Sequence, residues 1–149
     1  EHILLEEPKS LDLIELDPDM ISILEDRIKS SSVYPFHIGE TKTKILHQDV
    51  LKLTQLPEKS IIVANIPYYI TSPILTHFLI HLHQYVGAMV IMMQKEVAEK
   101  ILTKKSKHSY LSISCHLFCS DISLVTNVPA SAFVPAPKVD SSVLLFTLA

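Results

Sequence analysis

The 149-residue chain contains no tryptophan, only two cysteines and two glycines, and no excess of basic charge. Thirteen Lys and Arg against sixteen Asp and Glu leave a formal net charge of −3. That balance excludes a protein whose whole surface grips nucleic acid, so any such contact must rest on a local patch. Cys115 and Cys119 stand four apart in a helical-looking stretch, a spacing that aligns two side chains without favouring a disulfide, and both are expected to be reduced. No second cysteine pair completes a familiar zinc site, and no metal is expected. The glycines, Gly39 and Gly87, are isolated and form no glycine-rich loop. No basic start followed by an apolar run and a small-residue cleavage site opens the sequence, which predicts a cytoplasmic protein. Asp, Glu, Lys and Arg are absent from Ser60 to Gln94, a stretch long enough to span a membrane. Asn65, Pro67, Pro73, His77, His81 and His83 interrupt it, so two buried strands around a helix are expected instead.

What is present is a 48% hydrophobic sequence with nine prolines, enough for one core and one globular domain over residues 1–149. Leu11 to Leu16 is an apolar-rich run halted by Asp17-Pro18, which predicts a strand followed by a helix to about Lys29 with Met20, Ile21, Leu24 and Ile28 on one face. Ser30-Ser31-Ser32 should end that helix. Lys44 to Val50 predicts a second strand closing on Asp49, and Ile61 to Ala64 a strand buried on both faces. Ser72-Pro73 predicts a helix with Ser72 as its cap, running to about Tyr85. Ala88 to Met93 is a further strand, Lys95 to Lys104 and Tyr110 to Cys119 further helices, and Ile122 to Val128 and Ser142 to Leu148 two closing strands. Strands alternating with helices imply an open α/β sheet, mostly parallel, with the last two strands forming an antiparallel edge hairpin.

Ligands of such sheets bind outside the carboxyl ends of the strands. Glu15, at the first of these ends, can accept both ribose hydroxyls of a nucleoside, although an acid before a proline-started helix also favours the helix dipole. Asp49, at the second, can accept from an exocyclic amine. Asn65-Ile66-Pro67-Tyr68-Tyr69 at the third carries more chemistry. An exocyclic amine on a base is a poor nucleophile because its lone pair is delocalised into the ring. The Asn65 side-chain oxygen and the Pro67 carbonyl can each accept one N–H, aiming the nitrogen lone pair at an electrophilic methyl group. Tyr68 can stack on the base. Lys104, Lys105, Lys107 and His108 are the densest positive cluster and are suited to phosphate contact or to a solvated helix end. His77 and His81 have a spacing that metals use, but no third ligand accompanies them.

At these motifs the sequence resembles the ribosomal RNA adenine N6 dimethyltransferases, S-adenosylmethionine enzymes of Rossmann-like fold. The resemblance runs from about Leu11 to the end. It rests on Leu13 to Pro18, Gln48-Asp49-Val50, Asn65 to Pro73, Met93 to Ala98 and Ala132 to Ser141, five motifs in the family's order. It implies that Glu15, Leu16, Asp49, Val50 and Asn65 hold S-adenosylmethionine. The same resemblance implies that Asn65, Pro67 and Tyr68 present the target adenine, and that Tyr69, Phe133 and Lys138 complete substrate binding, with Phe133 covering the base opposite Tyr68. It implies a monomer acting on small-subunit ribosomal RNA or an immature small subunit, with neither metal nor membrane. The family's glycine-rich loop, its first strand and its small helical C-terminal domain have no counterpart here, which predicts a chain representing part of the family's length. Lys107 to Tyr110 also departs from the family's Tyr-Gly pattern. Two other functions fit the residues: large-subunit adenine methylation of the macrolide-resistance type, and a non-catalytic RNA-binding assembly factor.

Overall fold

The first strand forms on the apolar-rich run from Leu11 and ends at Glu15, shortly before Pro18 opens the next helix. In the computed structural model, which describes residues 2–29, 41–103 and 109–149, the chain divides into two compact units, Glu1–Leu53 and Thr54–Ala149.

The first unit opens with a short helix, α1 (His2–Leu5), followed by strand β1 (Ser10–Glu15), helix α2 (Pro18–Lys29) and strand β2 (Lys42–His47). β1 and β2 pair in parallel, with Glu15 opposite His47. Pro18 begins α2 where its missing N–H costs nothing, and Asp17 caps the turn by accepting from the Asp19 N–H at 2.9 Å. Ile21 is buried and Leu24 and Ile28 half-buried, but Met20 is 44% exposed and falls outside the apolar face predicted for it. β2 stops at His47, so Asp49 does not close the strand. It caps a 3₁₀ turn (Val50–Lys52), its Oδ1 accepting from the Leu51 N–H at 3.0 Å. A carboxylate two residues before a free N–H competes with the strand ladder for it, which is why the strand ends early. The serines expected to end α2 and the lysine-rich cluster at residues 104–108 lie outside the described residues.

The second unit contains β3 (Ser60–Asn65), α3 (Thr71–Thr76), β4 (Val86–Gln94), α4 (Lys95–Leu102), α5 (Tyr110–Phe118), β5 (Cys119–Val128) and β6 (Ser141–Leu148). Its sheet has the order β3-β4-β6-β5. β3 and β4 are parallel, and β6 is antiparallel to both β4 and β5, so the expected edge hairpin is present and β5 forms the edge. Cross-strand partners define one buried face: Met89 opposite Phe146, Ile91 opposite Leu144 and Met93 opposite Ser142, all at most 2% exposed. Leu75, Leu79, Ile101 and Cys115 from the helical segments are equally buried. Among the described residues no helix is long and apolar enough to cross a membrane; the uncharged stretch from Ser60 to Gln94 is spent on this core.

Two further expectations are corrected. β3 is not buried on both faces: it alternates, leaving Ile61 68% and Val63 57% exposed. The segment after Pro67 is not one helix capped by Ser72. A 3₁₀ turn (Tyr68–Ile70) runs directly into α3, with Ile70 at the cap position and no side-chain cap. With a preceding turn already wound, Ser72 falls inside the helix. Pro73 then sits among the first positions, whose N–H groups have no partner within the helix. The helix widens to a π-turn at His77–His81 and closes with a 3₁₀ turn at His83–Tyr85.

Cys115 and Cys119 are free thiols, one in α5 and the other opening β5. Burial, reinforced by the neighbouring Cys119, pushes the Cys115 thiol up to about 12, and burial raises Cys119 to about 11, from an ordinary 9.0. Both states therefore hold protonated thiols below pH 9.0, and this contribution to stability is intact there. Above it the unfolded chain ionises first, and stability is lost as pH rises through about 11 to 12. Urea midpoints at about pH 8 and about pH 10.5 should differ less in Cys115→Ala than in the parent. An equal alkaline loss in both would contradict the assignment.

Candidate base-binding cleft and strand-end carboxylates

Asn65 is the last residue of β3, paired with Met92 of β4, and its side chain falls on the same face as the exposed Ile61 and Val63. Beyond it Ile66 turns inward and is 3% exposed, anchoring the backbone, while Pro67 stays at the surface. The chain then winds into the 3₁₀ turn, whose Ile70 N–H is donated to the Pro67 carbonyl at 3.1 Å. A carbonyl oxygen has two lone pairs, so Pro67 retains acceptor capacity for a second donor. Tyr68 is half-buried, and its phenol is hydrogen-bonded to the hydroxyl of Ser141, a residue with no exposed surface.

A second segment faces this one. Pro129 leads into a 3₁₀ turn (Ala130–Ala132) that ends at Phe133, and the Val134–Pro135 peptide bond is cis. Asp140 holds the turn, its Oδ1 accepting from the Ala130 N–H at 2.9 Å. Together the two segments enclose a cleft of about 330 Å³, lined by Asn65, Ile66, Pro67 and Tyr68 on one side and Phe133, Pro135 and Pro137 on the other. That volume is at the small end of ligand pockets and suits a single planar group. The cleft lies at the carboxyl ends of the parallel pair β3 and β4, where open α/β sheets bind their ligands.

Of the predicted substrate residues, the structure thus brings Asn65, Pro67, Tyr68 and Phe133 to one cleft. Tyr69, 85% exposed, and Lys138, also exposed, are not part of its lining. The sequence places Ile66, Pro135, Pro137 and Ser141 within its motifs but assigns them no role at the site. The role of Ser141 becomes visible only from its burial and its partner Tyr68.

The predicted cofactor residues belong to the first unit, apart from Asn65. Glu15 and Asp49 emerge from the same end of the parallel pair β1 and β2, both half-buried. Glu15 Oε1 accepts from the Leu16 and Asp17 N–H groups at 2.8 and 3.0 Å. His47 Nε2 lies 3.0 Å from the Leu16 carbonyl, tying the end of β2 to the loop after β1. Leu16 is 61% exposed, and Val50 is half-buried as the first residue of the 3₁₀ turn that Asp49 caps. Each carboxylate thus has one oxygen occupied by its own backbone, which fixes its orientation. Two acid groups held this way can accept hydroxyl and amine donors of a nucleoside, so the donor set fits an adenosine-bearing cofactor. Among the described residues no group of three or more His, Cys, Asp or Glu is placed to hold a metal ion.

The ribosomal RNA adenine dimethylase family model matches residues 2–148. A ribosomal RNA small subunit methyltransferase A of Mycoplasma mobile is 36% identical over 147 residues, covering 97% of this chain and 54% of that protein. A protein of Methanococcoides burtonii named probable ribosomal RNA small subunit methyltransferase A is 36% identical over 143 residues, covering 95% of this chain and 48% of that protein. Among solved structures, a dimethyladenosine transferase from Plasmodium falciparum superposes with a TM-score of 0.77 at 32% identity, over 95% of this chain and 48% of that one. The 23S rRNA methyltransferase ErmE superposes with a TM-score of 0.76 at 23% identity, covering 94% and 52%, a likeness of fold. The chain spans about half the length of the relatives it matches. The α/β architecture is that of Rossmann-like methyltransferases.

Proposed function

Because the chain belongs to the ribosomal RNA adenine dimethylase family, we propose that it transfers methyl groups to the N6 amine of adenines in small-subunit ribosomal RNA, giving N6,N6-dimethyladenosine during subunit assembly. The observation that carries this is the cleft uniting Asn65, Pro67, Tyr68 and Phe133 at the carboxyl end of a parallel strand pair. The Asn65 amide oxygen and the second lone pair of the Pro67 carbonyl each accept one N–H of the exocyclic amine. That pairing turns the nitrogen toward tetrahedral and exposes its lone pair. Tyr68 stacks on one face of the adenine, worth about 1–3 kcal/mol for an unpaired base. Phe133 covers the other face and excludes water. Tyr69 and Lys138, both exposed and outside the cleft lining, complete substrate binding.

S-adenosylmethionine, when bound, supplies a methyl group already activated by the sulfonium charge. No metal enters this reading, and the chain's residues contribute alignment. Glu15 accepts the ribose hydroxyls, Asp49 the adenine amine of the cofactor, and Leu16 and Val50 complete its binding. Residues 1–149 act as methyltransferase catalytic-domain sequence, working as a monomer in the cytoplasm and not at a membrane.

The test is an assay with labelled S-adenosylmethionine on immature small subunits and, beside them, naked large-subunit RNA. Transfer to the small subunits, with product migrating as dimethyladenosine, is the expected result. Transfer confined to large-subunit RNA would move the substrate to the macrolide-resistance class. Association with subunits in the absence of cofactor binding would make the chain an assembly factor.

A further inference from the structure

Both aromatic walls of the cleft are anchored to consecutive residues, the last before β6 and the first within it. Ser141 has no exposed surface, pairs with Gln94 at the carboxyl end of β4, and its hydroxyl bonds the Tyr68 phenol. The preceding residue, Asp140, accepts from the Ala130 N–H through its carboxylate and from the Lys95 N–H through its carbonyl at 3.0 Å. The Ala130 contact fixes the turn that delivers Phe133. The following residue, Ser142, donates to Asn127 Oδ1 at 2.7 Å and ties the same point to β5. A phenol at a ligand cleft would ordinarily turn toward solvent or ligand. Here it is held by a buried partner on a central strand, so the ring plane is set before any base arrives.

We propose that Asp140 and Ser141 are positioning residues for the target base: Ser141 fixes the plane of Tyr68, Asp140 fixes the turn bearing Phe133, and their adjacency where the chain enters β6 sets the gap between the two rings. The inference rests on the cleft being the base slot. Neither residue touches the reacting nitrogen. Their contribution falls on the orientation of a base already bound, and it is felt most when an amine carrying one methyl group must be seated again for the second transfer. A slot with one unfixed wall would release or misalign the bulkier singly methylated base.

The experiment compares Ser141→Ala, Tyr68→Phe, their double variant, Asp140→Ala and Asp140→Asn in the native protein, with immature small subunits as substrate. Ser141→Ala and Tyr68→Phe remove the same hydrogen bond from opposite ends. Each should lower kcat about fivefold, leave the KM for S-adenosylmethionine unchanged and raise the ratio of monomethyl to dimethyl product. The double variant should be no worse than the weaker single one. Asp140→Ala should show the same pattern, and Asp140→Asn, whose amide oxygen can still accept from the Ala130 N–H, should restore most of the rate. Multiplying losses in the double variant, or an unchanged product ratio, would overturn the inference. Tyr68→Ala separates this from failure of the underlying reading. If Tyr68→Ala is inactive while Ser141→Ala behaves as the parent, the slot stands and the positioning role falls. If Tyr68→Ala keeps full activity, the slot itself falls and takes the inference with it.

Discussion

Asn65→Ala is expected to slow methyl transfer by on the order of 10²–10³-fold, the usual cost of removing one preorganised hydrogen-bonding group from a reaction centre. The side chain is exposed at the end of β3, and its backbone pairing with Met92 does not depend on it. The variant should therefore fold with the parent's thermal midpoint. The loss should appear in a single-turnover rate at saturating RNA, because Tyr68 and Phe133 still grip the base while the amine nitrogen keeps its lone pair in the ring. A single-turnover rate close to the parent's would remove Asn65 from the chemistry and leave the amine to be oriented by Pro67 alone.

Glu15→Ala should weaken S-adenosylmethionine binding by about 10–100-fold, the range expected when hydrogen bonds to a charged group worth about 1.5–3 kcal/mol are lost. The structure makes a sharper comparison possible. Glu15 Oε1 is committed to the Leu16 and Asp17 N–H groups, so alanine also leaves the turn between β1 and α2 without the acceptor for both. Glu15→Gln keeps an oxygen for those N–H groups while replacing the other carboxylate oxygen by a donor. If Glu15 serves the cofactor, calorimetry should show Gln nearly as impaired as Ala, while urea midpoints show Gln closer to the parent. Full cofactor affinity in Glu15→Gln would reduce this residue to a local cap.

The elements that were legible in the sequence are those with a local cause. β1 and α2 meet at Pro18, a residue that permits little else, and the edge hairpin follows from two apolar runs with no helical pattern between them. The carboxylates and the Asn65-to-Tyr69 run were visible because polar residues at strand ends stand out against apolar flanks. The misplacements arise where a neighbouring turn competes with the expected element. Ser72 has the chemistry of a cap, but the turn from Tyr68 to Ile70 had already started the helix. Asp49 looks like a strand end until its side chain takes the Leu51 N–H. The partnership of Tyr68 with Ser141 spans 73 positions, and no short-range pattern encodes it.

The position of β6 has a consequence for how the molecule comes into being. It lies later in the sequence than both strands it joins, yet it is seated between them. Until it arrives, β4 has an open edge and β5 has no strand to pair with, so the sheet cannot be zipped up in the order in which ribosomes deliver it. Its insertion closes the sheet and, through Asp140 and Ser141, also installs the two rings. The cleft therefore gains the anchors of both its walls in a single step, and a chain synthesised only as far as β5 lacks the two residues that fix Tyr68 and the turn before Phe133.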